Sequence, residues 1–278
     1  MTLAAERAPL TVGRIEFLNA LPFFAETGDE KNRTAYVRGF PTDINRGMRA
    51  GEIDIGLTSS LLCASMPDEL MVFPDLCIAS YEKSMSVALF SSEPLERLRG
   101  KKIALSSKSL SAASLLRILF RHYWRLPCEF EISSAPLEEM QHRYAAFLAI
   151  GDEALFFEAP GIQVHDLSQV WWQWTGYPFC FALWTVRRAV YESSPEAVRA
   201  FFESLRARLK GNLAHLEELV GKAGPAVLAR RDRVLQYLRS LEYRLNPRVR
   251  EGLSLFFEHA RRLGLVAGDG NLSFCEFS

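Results

Sequence analysis

The sequence predicts an α/β protein built in two halves and closed by a helical C-terminal region. Three observations carry this reading. Short apolar runs alternate with segments of helical period. One kind of junction, a strand followed by hydroxyl residues and then a helix, occurs in each half: IDIGLTSSLLCA (53–64) and KKIALSSKSLSAASLL (101–116). From Ser194 onward the pattern is almost entirely helical. A length of 278 residues allows one large domain or two lobes of roughly 100–150 residues each.

Strands are expected at 12–17, 53–57, 87–90, 102–105, 145–150 and 181–186, each a short apolar run bounded by polar or turn residues. PTDINRGMRAG reads as a short helix capped by Thr42, with Ile44 and Met48 on one face and Gly51 as its stop. SLSAASLLRILFRHYW (109–124) reads as a helix that turns Leu115, Leu116, Leu119 and Phe120 inward. Ser194 as N-cap and Pro195 at the first helical position open a third helix, on which Val198, Phe201, Phe202, Leu205 and Leu209 repeat at helical spacing. Two further helices are expected at 225–241 and 247–264.

Composition excludes several functions. Lys plus Arg number 33 and Asp plus Glu 33, so the basic excess of a general nucleic-acid binder or a polybasic membrane-surface protein is missing. No apolar run reaches the roughly 20 residues that cross a bilayer. Glu6, Arg7, Arg14 and Glu16 break the first apolar runs, so no secretory signal is read and the expected compartment is the cytoplasm. The cysteines (Cys63, Cys77, Cys128, Cys180, Cys275) are odd in number and lack a CxxC, which reads as buried thiols. His122, His142, His165, His215 and His259 form no HxH or HExxH, so no metal site is expected. With no GxGxxG, P-loop or GxSxG, no nucleotide cofactor is expected either. The aromatic run WWQWTGY (171–177) reads either as core packing or as a wall for stacking a ligand.

The two junctions carry the binding chemistry. A helix N-terminus exposes unpaired N–H groups and partial positive charge, and added hydroxyls make it a seat for a carboxylate or phosphate. Ordinary N-capping explains a single serine equally well. Two such junctions in two halves favour a cleft that grips a small anion from both sides, with Thr58, Ser59 and Ser60 on one wall and Ser106, Ser107 and Ser109 on the other. Lys108 reads as a further carboxylate partner or as a surface lysine. Asp152 reads as a base or as a cap of the helix that follows it.

Five motifs in order give the chain a resemblance to a known family. They are RIEFLNALPFF (14–24), FPTDINRGMRAGEIDIGLTSS (40–60), SMSVALFSSEPLERLRGKKIALSSKSLSAASLLRIL (84–119), AFLAIGDEAL (146–155) and DLSQVWWQWTGYPFCFALWTVR (166–187). Together they resemble the menaquinone-biosynthesis enzymes of the futalosine pathway, specifically the chorismate dehydratases, over about residues 12–265. The resemblance implies a two-lobed fold like the type II periplasmic binding proteins. Lobe one would comprise 1–89 and 184–278, lobe two 90–183, with crossings near 88–92 and 180–186. It implies dehydration of chorismate, a small dicarboxylate, to 3-[(1-carboxyvinyl)oxy]benzoate without cofactor or metal. Asn19 and Ser86 match the family's catalytic asparagine and hinge serine. Gly151 and Asp152 of the fourth motif, and Thr175 and Gly176 of the fifth, are carried over as substrate-binding positions. Two other readings stay open. One is the sister lyase that forms 1,4-dihydroxy-6-naphthoate, which uses a histidine without a clear counterpart here. The other is a non-catalytic small-anion-binding protein.

Overall fold

The computed structural model describes residues 10–24, 34–267 and 270–277. Its strands are β1 (Leu10–Ile15), β2 (Thr34–Gly39), β3 (Ile55–Ser59), β4 (Leu70–Ser80), β5 (Val87–Ser91), β6 (Lys102–Ser106), β7 (Glu129–Ser133), β8 (Ala146–Ile150), β9 (Gln163–Asp166), β10 (Phe179–Arg187), β11 (Leu241–Arg244) and β12 (Ser273–Phe274). They form two sheets. The larger runs β11-β4-β10-β3-β1-β2, with β12 beside β4, and the smaller runs β7-β6-β8-β5-β9. In each, parallel strands alternate with covering helices, and an antiparallel strand brings the chain back. β3, β5 and β8 are buried along their whole length, which is why they read as unbroken apolar runs. The two-lobed α/β architecture expected from the sequence is thus present. β5 belongs wholly to the smaller sheet and β10 wholly to the larger. The chain therefore changes sheet in 81–86 and between Asp166 and Phe179, a few residues before the expected crossings.

The six expected strands all form, and six more were not expected. The longest of these, β4, carries Pro74 and Asp75 in its middle. Its pairing with β10 shifts register between Leu183 and Thr185, opposite those residues. A proline inside a sheet is tolerated at such a bulge, but in sequence it breaks the run. β11 and β12 likewise interrupt the C-terminal region expected to be helical. The segment expected as one helix over 225–241 is two, Pro225–Leu228 and Arg231–Ser240.

Helix ends follow local chemistry. The helix Pro41–Ala50 is capped by Phe40, whose N–H donates to the Asp43 carboxylate at 3.0 Å. Thr42 therefore lies inside the first turn and is not its cap, because Pro41 already supplies the fixed φ of a first helical residue. Ser109 does cap Leu110–Ile118, accepting from the Ala112 N–H, and the helix runs on into a wider π turn at Leu119–Tyr123. Leu115, Leu116, Leu119 and Phe120 are buried as expected. All five cysteines are unpaired; four are buried and Cys128 is half-buried. No helix among the described residues is long and apolar enough to cross a membrane.

The segment 18–24 is held by packing. The Phe23 ring meets Trp184 at 5.4 Å and Tyr243 at 5.5 Å, both edge-on, and Phe24 also contacts Trp184. Each such buried ring contributes about 2 kcal/mol. Asn212 and Arg208, on the helix Pro195–Ala214, donate to the carbonyls of Pro22 and Phe23. Those helix-end carbonyls would otherwise lack partners. Within the aromatic run 171–177 Trp171 is core, fully buried between Phe179 and Phe256, while Trp172, Trp174 and Tyr177 are half-buried.

The helix Pro247–Arg262 locks the back of the molecule. Asn246 caps it by accepting from the Val249 N–H, and Gly252 lies against the backbone of Pro178. A Cβ at Gly252 would overlap the Pro178 carbonyl oxygen, so Gly252→Ala is expected to cost about 2 kcal/mol. Urea unfolding measures this, and an unchanged midpoint would show that the close approach is not required.

His259 of the same helix meets His122 of the smaller lobe, Nδ1 to Nδ1 at 2.8 Å. Burial holds both imidazoles below the ordinary 6.5; Arg262 acts on both in the same direction, Arg121 on His122, and Glu258 opposes at His259. A depressed folded-state value means the unfolded chain binds the protons more readily. Stability is complete above about 6.5 and falls as pH drops through that value. His122→Gln should therefore lose less melting temperature than the parent between about pH 7.5 and about pH 5.5. Equal losses would remove the pair as the cause.

Candidate active site

A narrow cavity of about 50 Å³ lies where the two lobes meet. Its walls are largely apolar, from Phe17, Leu57, Ile78, Val87, Ile150 and Phe181, and its polar lining is Asn19, Ser59, Ser86 and Ser109. Among the described residues, the lining includes no lysine, arginine, histidine or carboxylate. A wider surface groove of about 820 Å³ runs along the helix Pro195–Ala214 to the Arg244–Asn246 turn. It meets neither hydroxyl junction and neither chain crossing, whereas four sequence-derived polar residues converge on the smaller cavity.

Asn19 sits in the short 3-10 turn Leu18–Ala20 that follows β1. Its backbone carbonyl accepts from Tyr243, while its buried Oδ1 has no partner among the described residues. A buried amide oxygen without a partner is costly, and a donor from a ligand or water would relieve that cost. Ser86 opens β5 from the other side and is 3% exposed. Tyr237, from the helix Arg231–Ser240, donates its hydroxyl to Ser86 Oγ at 2.8 Å. Burial pushes the Tyr237 phenol well up, and its contact with Ser86 opposes this. Tyr237 and Asn45 are site residues that the sequence did not reveal. Asn45 clamps Ser59 with two bonds, Nδ2 donating to Oγ at 2.7 Å and Oδ1 accepting the Ser59 N–H at 3.0 Å.

The turn before Ser86 is fixed by one carboxylate. Asp166 is 4% exposed. It accepts from the backbone N–H groups of Ser84, Met85, Ser168 and Gln169 and from the Ser84 hydroxyl. Met85 is held at φ 61°, a left-handed conformation that side chains disfavour.

The remaining expected residues divide. Ser59 and Ser109 line the cavity, the latter also spending its oxygen on the helix cap. Thr58 points away, bonding Thr185 Oγ1 and the Leu183 carbonyl within the sheet. Strand alternation places Leu57 and Ser59 on one face and Thr58 on the other. Ser60 donates to the Cys180 carbonyl and pairs with Ser111 of the opposite lobe, whose oxygen also takes the Leu61 N–H. That helix N-terminus is therefore satisfied across the lobes. Ser106 accepts from the Lys108 N–H in a turn, and the Ser107 N–H donates to Ser133. Thr175 and Gly176 end the helix Leu167–Thr175; the Thr175 hydroxyl bonds Trp171, the Gly176 carbonyl takes Arg248, and neither lines the cavity.

Gly151 does line the cavity and brings the lobes together. Its φ is +65°, its N–H donates to the Ser86 carbonyl, and a Cβ there would stand 2.7 Å from the Phe17 ring. Asp152 does not cap its own helix. It reaches across to accept the Leu18 N–H at 3.0 Å, and burial pushes its carboxyl up to about 6. Lys108 pairs with Glu153 and lies 4.7 Å over the Phe40 ring of the larger lobe. These contacts close the mouth of the cleft. A cavity this small lies below the roughly 300 Å³ at which ligand pockets begin, so a small-molecule ligand of ordinary size would fit only if the lobes part.

The family model for menaquinone biosynthesis matches residues 10–262. The chain belongs to this family. It is 30% identical over 268 residues to the chorismate dehydratase of Thermus thermophilus, covering 90% of this chain and 94% of that protein. Among solved structures it resembles a protein of Archaeoglobus fulgidus at a TM-score of 0.71 and 17% identity, over 94% of this chain and 100% of that one. It also resembles the alkanesulfonate-binding protein SsuA of Xanthomonas axonopodis bound to MOPS, at a TM-score of 0.63 and 15% identity, over 96% of each chain. These two likenesses bear on the fold alone: a binding-protein fold with a cleft between its lobes.

The Gly151–Phe17 contact gives a direct check. Gly151→Ala should hold the lobes apart and raise the radius of gyration in small-angle scattering above that of the parent. An unchanged radius would mean that closure does not depend on this contact.

Proposed function

We propose that the protein is a chorismate dehydratase, a carbon–oxygen lyase that forms 3-[(1-carboxyvinyl)oxy]benzoate and water. One observation carries the reading. Asn19 and Ser86, from separate motifs and separate lobes, converge in one buried cavity of a menaquinone-biosynthesis family member. No histidine lines that cavity, which favours the dehydratase over the sister lyase that uses one.

The reaction removes a ring proton and a ring hydroxyl and leaves an aromatic ring, with no net change in oxidation state. Aromatisation supplies the driving force, so the enzyme's task is placement and charge stabilisation in a water-poor site. A substrate carboxylate takes the ring proton. The Ser86 hydroxyl donates to the departing oxygen. Asn19, whose amide both donates and accepts, holds the ring in register. Ser59 and Ser109 hold the periphery of the substrate. Asp152 ties the lobes together and is not the base, because its Oδ1 is engaged with Leu18 and it does not line the cavity.

Incubation with chorismate, followed by mass and NMR identification of the product, tests the reading directly. Asn19→Ala should lower kcat by about 1,000-fold while the dissociation constant for chorismate changes by less than about fivefold. Weakened binding with unchanged kcat would remove Asn19 from the chemistry. Asp152→Asn keeps the acceptor for Leu18 and should stay within about tenfold of the parent in kcat/KM. A loss as large as that of Asn19→Ala would make Asp152 the base.

A further inference from the structure

Ser86 has one hydroxyl proton, and the direction in which it points decides what the residue can do. Tyr237 settles that direction. Its hydroxyl is fully buried and donates to Ser86 Oγ at 2.8 Å, so Ser86 acts as the acceptor on that side. Asn19 and the Asp152 carboxylate also act on the phenol, the first drawing its pKa down and the second pushing it up. Tyr237 is not itself part of the cavity lining, whereas Ser86 is. The phenol thus reaches Ser86 from outside the cavity lining. The Ser86 proton is left to face the cavity.

We infer that Tyr237 is a positioning residue that fixes Ser86 as a hydrogen-bond donor toward the departing hydroxyl. This inference rests on the dehydratase reading of the site. A hydrogen bond received by Ser86 polarises its O–H and strengthens the bond that it gives, as in any chain of such bonds. The cost of burying the phenol is met by that same contact. Tyr237 keeps its proton throughout, in line with the upward push of burial on its phenol. The supporting helix is rigid where this matters. Val234, Leu235 and Leu238 are buried beside Leu216 and Leu219, and Leu155 of the smaller lobe joins the same cluster. Tyr237 thus reaches the serine from a packed scaffold and not from a loop.

Steady-state kinetics on chorismate with Tyr237→Phe, Ser86→Ala and the double variant test the inference. Tyr237→Phe keeps the ring and removes the hydroxyl; kcat should fall by about 10- to 100-fold with KM within about threefold of the parent. In the Ser86→Ala background the same change should alter kcat by less than about twofold, because the phenol acts only through the serine. A purely structural role would shift KM and stability and repeat its full loss in the double variant. A second measurement replaces Tyr237 with 3-fluorotyrosine, which retains shape and strengthens the donor; kcat should rise by about twofold at unchanged KM. An active parent with unaltered kcat in Tyr237→Phe and the fluorinated protein, or with additive losses, overturns the role of Tyr237 and leaves the dehydratase reading intact. A parent that does not convert chorismate overturns that reading and this inference with it.

Discussion

The buried carboxylate of Asp166 is the contact on which the site depends. Five donors from two segments meet it, two backbone N–H groups and a hydroxyl from 84–85 and two backbone N–H groups from the start of the helix Leu167–Thr175. Charge-assisted bonds of this kind are about twice as strong as neutral ones. Together they hold Met85 in a left-handed conformation that would cost roughly 1–3 kcal/mol unaided. The first crossing between the sheets is fixed by this turn, and Ser86 leaves it aimed at the cavity. The second crossing begins at Asp166 itself, so one side chain sets both passages of the chain between lobes.

The closed cleft then explains the charge economy of the protein. Lys plus Arg equals Asp plus Glu at 33 each, and among the described residues the cavity lining holds no charged side chain. A small anion meets amides, hydroxyls and N–H groups in a water-poor pocket, where fixed dipoles act more strongly than in water. Closure is made of many modest pieces: Gly151 on Phe17, Asp152 on Leu18, Ser111 across to Ser60 and Leu61, and Lys108 over Phe40. Distributed contacts of this kind allow lobes to part and close again as a hinge.

The sequence was informative where physics is local. Buried strands read as apolar runs, and the hydroxyl junction before Leu110 marks a helix start that Ser109 caps. Asn19, Ser59 and Gly151 reach the cavity from the ends of β1, β3 and β8, and Ser86 from the residue that opens β5. Other features depend on pairing between distant segments. Thr58 and Ser60 share a junction with Ser59, yet the register of β3 against β10 turns their hydroxyls into the sheet and toward Cys180. β4 is obscured by Pro74 and Asp75, which only a bulge against β10 accommodates. Asp166 lies within a motif, but its task depends on the β5–β9 pairing that sets it opposite Ala88. Tyr237 lies 151 residues from Ser86, on a helix whose pattern shows only that the position is buried.

A crystal structure of the Asn19→Ala variant with chorismate tests the central claim most directly, since slowed turnover would preserve the bound substrate. The account predicts the ring enclosed between the lobes, with its hydroxyl-bearing carbon against Ser86 and the vacated side-chain space of position 19 beside the ring. Chorismate bound in the groove along the helix Pro195–Ala214, or on the outer surface with the Asn19–Ser86 cavity unchanged, would contradict it.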